Sequence, residues 1–547
     1  MSIRTKVIFI ASLAAVAAFA FSLRMVAIDW GVPTQEIQCA SFHPDEPQLM
    51  TAVGEINIAK GDLEPDGGHF EGTFTHYVYY AEALVLRAFG VLTALPHEFV
   101  KYDTNYRTML IAGRIATALF DIAAVVLIAL LVFSMTASPL AALISAAMLA
   151  FAPFEVIHAH YMRQHVIVNS MVVVMMMLSF RMYSTRHLWR YIICAGLLAG
   201  FATAARYPSG IMLVLPAAVL FLRARIIRRG GTTENDDIRV PLLPAFALLG
   251  AACLIGFFIT DPFFFINIKS AWKWVNYQKS FVPKTKMTVD GILDLGRVWT
   301  YISYLLPSGT KPFLWAIWYA SAIFLAFVPR FYRYTIPLAV LMIVYGYPMA
   351  KGYADPMFIR PTLYLFPLFA FAVGMAIHEL RSRFPKMSFA AVAVVAAGTL
   401  ASLWYTGAYL KGMMHDPRIA VYDHLKGDAR ERLSLGYYPV GWSDWYIFEP
   451  FTNVAGKRMT ITVPPFTNNA RPDYILLAHV DDFPKTMCGA GVTTNYLTAV
   501  TNARYTIEKK FEVRRTLFGV DFTDVRPPAD LNYPFPVYYL LRRNDGK

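Results

Sequence analysis

Long apolar runs constrain this chain more than any other feature. Residues 7–21, 115–133 and 389–403 approach the roughly 20 residues that a helix needs to cross a hydrocarbon core. A soluble chain is about one quarter charged. This one is 16% charged and 56% hydrophobic over 547 residues, with too little polar surface for water. A polytopic α-helical membrane protein is the fold class these runs imply, with a lipid bilayer as its solvent.

About eleven spans are expected, starting near Val7, Met109, Pro139, Val166, Tyr191, Ser209, Val240, Phe313, Thr335, Thr362 and Phe389. The segment Met1-Ser2-Ile3-Arg4-Thr5-Lys6 ahead of the first run resembles a signal peptide. It reads instead as an uncleaved first span with a cytoplasmic N-terminus, because the run is long and no clear cleavage site follows. The clusters Arg181/Arg186/Arg190, Arg223/Arg225/Arg228/Arg229, Arg330/Arg333 and Arg381/Arg383/Lys386 then fall on the cytoplasmic side, as the positive-inside rule requires. The net charge of +13 is therefore a topology signal, and nucleic acid is not an expected partner. The parity holds only if residues 76–95, apolar and aromatic, form a juxtamembrane or re-entrant helix and do not cross.

On this topology residues 29–107 and 261–311 are long outer loops, and residues 1–410 form a transmembrane catalytic domain. Residues 411–547 lose the apolar length and alternate, with strand-like runs at 459–463, 473–479 and 537–541 and a helix at 416–425. They read as a small C-terminal α/β domain outside the membrane. Cys194 and Cys253 lie in apolar runs and read as small core residues; Cys39 and Cys488 fall in outer segments, where a disulfide is possible.

Two constellations can carry chemistry. Phe42-His43-Pro44-Asp45-Glu46 follows the first span closely, and Pro44 suits a helix start with both carboxylates in its first turn. Adjacent carboxylates point apart, so one can face a cleft while the other caps the helix or meets a cation. The second is His158-Ala159-His160-Tyr161-Met162-Arg163-Gln164-His165, which faces the same compartment. Its arginine matches phosphate geometry, and His158 or His160 with His165, near Asp45 or Glu46, can be drawn as ligands of a divalent metal, with His158, His165 and Glu46 the first choice, though no strong zinc spacing is present. Plain alternatives are a helix cap for the first and an interfacial snorkelling belt for the second. Arg206-Tyr207-Pro208, Lys351 with Asp355, Arg360, and His76 with Tyr77 add cationic and aromatic groups on that face. There is no phosphate-binding glycine loop and no G-x-S-x-G.

The first motif, followed by Gly61-Asp62-Leu63-Glu64-Pro65, resembles the first outer loop of phospholipid-carrier-dependent glycosyltransferases of the C-type superfamily, whose relatives are protein O-mannosyltransferases and aminoarabinose transferases. Weaker matches follow in order at residues 158–165, at Ala204-Ala205-Arg206-Tyr207-Pro208, at Arg360, at Asp416-Pro417-Arg418 and at Arg471-Pro472-Asp473-Tyr474-Ile475. The resemblance implies a bundle of spans with juxtamembrane helices in the first loop, and Asp45 as catalytic base. The chain departs from the pattern twice: His165 stands where relatives often carry an acid, and His76 where they often carry a lysine.

The chemistry is coherent on its own terms. A polyprenyl-phosphate sugar carries a good leaving group, so the site needs a base for the acceptor hydroxyl and cations for the departing phosphate. Asp45 is the expected base and Glu46 the second carboxylate, orienting the acceptor or the first-loop helix. Arg163, Arg206 and Arg360, with His160, His165, Tyr207, His76 and Lys351, are the expected phosphate-binding set. The acceptor is a glycolipid, a polysaccharide or a protein, at the periplasmic face of a bacterial inner membrane. Competing expectations are a transporter or flippase of lipid-linked substrates, and an oligosaccharide ligase.

Overall fold

The computed structural model describes residues 2–34, 37, 41–43, 45–65, 72–100, 102–228, 241–281, 295–353, 359–437, 458–462, 472–479, 505–523 and 537–544. Cys39, Cys488, Pro44, Arg229, Asp355, Arg471 and the side chain of Lys351 lie outside what is described.

Helix α1 (Ile3–Met25) starts at Ser2, whose side chain accepts from the Thr5 amide. In the first loop, α2 (Glu46–Glu55) and α3 (Phe74–Ala88) precede α4 (Thr104–Thr136), which Asp103 caps. Helix α3 spans 15 residues, ends at Phe89 and turns at Gly90, and buries Thr75, His76, Tyr79, Tyr80 and Ala83 on one face. It is shorter than the helices long enough to cross a bilayer.

Beyond α4 come α5 (Pro139–Ala150), α6 (Pro153–His158), α7 (Gln164–Arg181), α8 (Leu188–Ala205), α9 (Val214–Arg228) and α10 (Leu242–Thr260). Pro153, in the first turn of α6, has no amide hydrogen to give the preceding turn, so α5 and α6 are separate helices. Helices α8 and α10 touch backbone to backbone: a Cβ on Gly200 would lie 2.3 Å from the Cys253 carbonyl oxygen. Cys194 is exposed on α8, not a core residue as expected, because a spanning helix can present apolar side chains to lipid as readily as to protein.

Helices α11 (Pro262–Ile266), α12 (Ile268–Phe281), α13 (Leu295–Thr300) and α14 (Leu306–Gly309) lead to α15 (Leu314–Ala326) and α16 (Tyr332–Tyr353). The last spans are α17 (Phe366–Arg383) and α18 (Pro385–Met413). Among the described residues eight helices are long and apolar enough to cross a membrane. The two spans expected at Phe313 and Thr335 are a helix pair bent by 97° at a break before Pro329, and the one expected at Pro139 is the short α5. The chain is thus a polytopic helical membrane protein.

Its C-terminal stretch builds a small sheet. Helix α19 (Pro417–Lys426) leads to β1 (Arg432–Tyr437), β2 (Arg458–Thr462), β3 (Tyr474–His479), β4 (Tyr505–Phe511), β5 (Thr516–Leu517), β6 (Val520–Asp521) and β7 (Val537–Arg543). The five-stranded sheet has the order β2-β1-β3-β7-β4; β1 runs parallel to β2 and β3, and β7 antiparallel to β3 and β4. The β5–β6 hairpin rests on α18, where Trp404 donates to the Leu517 carbonyl (3.0 Å) and the Phe522 ring meets Trp404 and Tyr405.

Candidate active site

The first loop is held down before it reaches Asp45. Gly31 has φ +62°, and a Cβ there would sit 2.3 Å from the Phe42 Cβ, so only glycine lets Phe42 fold back over this turn. Phe42 meets Trp30 edge-on at 5.7 Å. The Arg418 guanidinium lies 4.1 Å from the Phe42 ring and 5.2 Å from the Trp30 ring. Asp416 pins that guanidinium (2.8 and 2.6 Å) and accepts from the Trp30 indole (2.9 Å). The segment after the last span thereby clasps the first loop.

Asp45 and Glu46 then part company. Glu46 is fully buried, with Arg114 of α4 donating to both its oxygens (2.9 and 2.7 Å), Ser41 to one (2.5 Å) and the Met162 amide to the other (2.8 Å). Burial would raise its pKa, but the Arg114 charge overrides this and holds it below the usual carboxylate range. Arg114 also donates to the Ile28 and Trp30 carbonyls (2.7 Å each), so the pair ties α2 and the residues after α1 to α4.

Asp45 occupies the N-cap position of α2, yet its side chain makes no capping hydrogen bond. The plain capping alternative therefore does not describe it. Its Oδ2 instead meets Arg163 at 3.1 Å and Arg360 at 2.7 Å, with the side chain 10% exposed. Burial favours the neutral acid, but the Arg163 charge and then Arg360 hold the carboxyl well below its ordinary range. His43 is buried against Tyr161 (ring centroids 4.2 Å), and its Nδ1 accepts from the Asp45 amide (3.2 Å). Burial lowers its pKa to about 3, so it is neutral with its proton on Nε2.

The three histidines expected as one set divide. His160 sits between the Val156 carbonyl at Nδ1 (2.6 Å) and the Val26 carbonyl at Nε2 (2.7 Å), so its one N–H is given to main chain and neither ring nitrogen faces Asp45. That corrects its expected place in a phosphate site: it staples α6 to the end of α1. His165 accepts at Nδ1 from Arg206 (2.8 Å), so its proton lies on Nε2, and Nε2 has no partner among the described residues. Neither ring nitrogen of the buried His158 has one. Its ring lies 6.0 Å from His165 and feels the charges of Arg360, Arg163 and Asp45; burial, then His43, push its pKa well below the ordinary value. Arg206 also donates to Tyr364 (3.0 Å).

The other expected residues sit at the edge. Tyr207 donates to Asp261 (3.3 Å) and packs on Phe264, and His76 is buried on α3 one turn before Tyr79, which feels the Arg163 and Glu46 charges. A divalent metal does not fit the expected ligands. Glu46 is saturated by Arg114, Ser41 and Met162, His165 already accepts from a guanidinium, and three arginines surround the remaining donors. Among the described residues no three His, Cys, Asp or Glu come together as a metal set.

Sequence reading passed over Arg114, Ser41 and Tyr364. Arg114 carried a usable signal, an ionisable residue at the start of a span.

No protein-family model matches the sequence, and no curated protein matches it. Among solved structures, ArnT from Cupriavidus metallidurans in the apo state matches 98% of this chain and 98% of its own, at 11% identity and a TM-score of 0.50. The chain shares the fold of this membrane protein. The same ArnT bound to undecaprenyl phosphate matches over the same shares at 12% identity and a TM-score of 0.46. The apo oligosaccharyltransferase of Archaeoglobus fulgidus matches 87% of this chain and 70% of its own at 11% identity and 0.46. In this fold the Asp45 site lies where the first loop, the α6–α7 connection, the end of α8 and the start of the helix before α17 meet.

Proposed function

We propose that the protein is an inverting glycosyltransferase that moves a sugar from a polyprenyl-phosphate carrier to an acceptor hydroxyl at the periplasmic face of an inner membrane. The observation that carries this reading is the Asp45 carboxylate, uncommitted to its helix and shared between Arg163 and Arg360. Asp45 takes the acceptor proton, the acceptor oxygen bonds to the anomeric carbon, and the carbon–oxygen bond to phosphate breaks with its electrons passing to the phosphate. Arg163, Arg206 and Arg360 meet the charge that develops there, with the free Nε2 of His165 and the His158 ring within the same cluster.

A carboxylate held this far down is a weak base. Donor binding answers that: an incoming phosphate competes for the same guanidiniums, and each one it draws away returns basicity to Asp45. Base strength is thereby tied to the presence of donor. Glu46 acts as a positioning residue through Arg114, and residues 411–547, as a separate domain, help select the glycolipid, polysaccharide or protein acceptor.

The test measures release of free polyprenyl phosphate from a panel of polyprenyl-phosphate sugars, with envelope extract as acceptor, by wild type and Asp45→Asn. Release by wild type alone supports the reading, and the responding sugar names the donor; a long transferred chain would point to a ligase. Equal release by both proteins would remove Asp45 as base. Transport of a lipid-linked substrate is the second reading, favoured by one observation, the ionisable side chains buried among α1, α4, α6 and α7. Substrate movement across vesicles without release would support it.

A further inference from the structure

The β5–β6 hairpin reaches further along the bundle than a domain outside the membrane requires. At its base, the Arg515 guanidinium lies 6.0 Å from the Tyr409 ring of α18. Two residues on, Leu517 sits against Gly407, where a Cβ would come within 3.0 Å of the leucine Cδ2. The Leu517 carbonyl accepts from the Trp404 indole (3.0 Å), and the Phe522 ring closes on Trp404 and Tyr405 from the other strand. The chain therefore runs inward along α18 from Arg515 to Leu517, and the turn at Phe518-Gly519 follows in the same direction.

At that level α18 is still a spanning helix. Between Lys386 and Lys411 it carries no charge over 24 residues. At about 1.5 Å per residue this stretch slightly exceeds the roughly 30 Å of a hydrocarbon core. Trp404 precedes Lys411 by seven residues, which places it about 10 Å deeper along the axis. Trp404, Tyr405 and Tyr409 are the aromatic residues that a span carries where acyl chains meet headgroups.

The turn has a conformation that its residues do not favour. Strands β5 and β6 are joined by Phe518 at φ +51° and Gly519 at φ +79°, the left-handed pair of a type I′ turn. Asparagine, aspartate or glycine is usual at the first position, and a bulky ring there is strained. The Phe518 ring is 86% exposed, so packing against protein does not offset that strain. Val520 beside it is exposed as well, while the charged Arg514 and Asp521 flank the base of the hairpin and not its tip. The apolar medium at this depth is the lipid that also meets the exposed Leu400 of α18.

We infer that the β5–β6 hairpin inserts Phe518 into the lipid leaflet on the Asp45 side of the membrane. The partner is the acyl-chain boundary of that leaflet, and the insertion fastens the strand-bearing stretch to the bilayer at a point separate from the Asp416–Arg418 clasp. A lone apolar tip, with charges set back behind it, fits a lipid surface better than a protein groove, which would need a broader apolar face.

The full chain in lipid nanodiscs tests this through the emission that Phe518→Trp adds to that of wild type. Lipids brominated near the headgroup end of their acyl chains should remove about half of the added emission, and aqueous iodide should remove several-fold less. A tip in water would reverse the two results, and a tip covered by a second copy or another protein would resist both quenchers; either overturns the inference. Phe518→Ser supplies a second readout that needs no tryptophan at the turn. Amide hydrogen exchange over residues 516–521 should quicken about tenfold in nanodiscs, the worth of an aromatic side chain withdrawn from water. Exchange that is equal or slower would mean that α18 alone holds the hairpin, and would overturn the inference too. Neither readout depends on glycosyl transfer.

Discussion

The Asp45 site and the Arg24–Asp121 cluster use the same residue types in different proportion. Around Asp45, one carboxylate meets two guanidiniums, with Arg206 nearby on His165. Around Arg24, one guanidinium meets one carboxylate, Asp121, and the buried Glu155 on the neighbouring α6 pairs with an amide, Asn169. The first holds more guanidiniums than carboxylates, as a site for an anionic ligand would, whereas the second matches its one guanidinium with a carboxylate. The first site is on a loop with its carboxylate partly open, which suits a ligand that arrives and leaves. The second is sealed among helices, which suits a fixed tie between them.

Asp45→Asn makes the sharpest test of this contrast. Turnover should fall roughly 100- to 10,000-fold, the range for loss of a general base, while thermal unfolding moves little. A large loss of stability instead would make Asp45 a structural ion pair and erase the difference between the two regions.

Glu46→Gln should do the reverse. It leaves Arg114 buried beside a neutral amide, and one-sided removal from a buried pair costs about 3–5 kcal/mol. Unfolding should come early, with activity per folded molecule falling less than in Asp45→Asn; normal stability would show that the Arg114 pair does not anchor the first loop.

Arg360→Ala probes the excess of cations. The donor should bind about tenfold to one-hundredfold less tightly, the worth of a hydrogen bond to a charge. The pH profile should also move. In wild type Asp45 stays ionised far into acid, so kcat/KM shows no inflection from it near pH 4; in Arg360→Ala one should emerge towards that ordinary value. An unchanged profile would mean that Arg360 does not set the charge of Asp45.

The smallest effect belongs to Glu82 on α3, outside both regions, whose pKa burial raises to about 7. The folded chain holds this proton more tightly than the unfolded one, so stability should fall as pH rises from about 4.5 to about 7 and then level. Glu82→Gln should remove that slope, which for one proton is at most about 1.4 kcal/mol per pH unit; a slope that persists would assign it elsewhere.

The sequence disclosed local features well and partnerships poorly. Apolar length marked eight of the eleven expected spans as helices long enough to cross, because hydrocarbon thickness is a one-dimensional demand. It did not foresee the 97° bend, which arises where the chain breaks at Phe327-Val328-Pro329. The Asp45-Glu46 pair was visible as a motif, but which carboxylate faced the cations depended on Arg114, 68 positions away, and Arg360, 315 away. The histidines of residues 158–165 looked equivalent for the same reason. Only the fold shows that His160 is spent on carbonyls while His158 and Nε2 of His165 are not. Asp121 lay in plain view inside an apolar run, seven residues past Arg114 and so on nearly the same helix face.

The clasp of Asp416 and Arg418 on Trp30 and Phe42 bears on how far the C-terminal stretch is a removable module. Exchanging everything after residue 410 for the corresponding part of another protein would take away the indole's acceptor and the cation over the Phe42 ring. The first loop, and Asp45 with it, would then lose its outer wall. Chimaeras across this junction should preserve activity only when the Asp416-Pro417-Arg418 segment travels with the spans, which makes those three residues a keystone that belongs to the bundle they close.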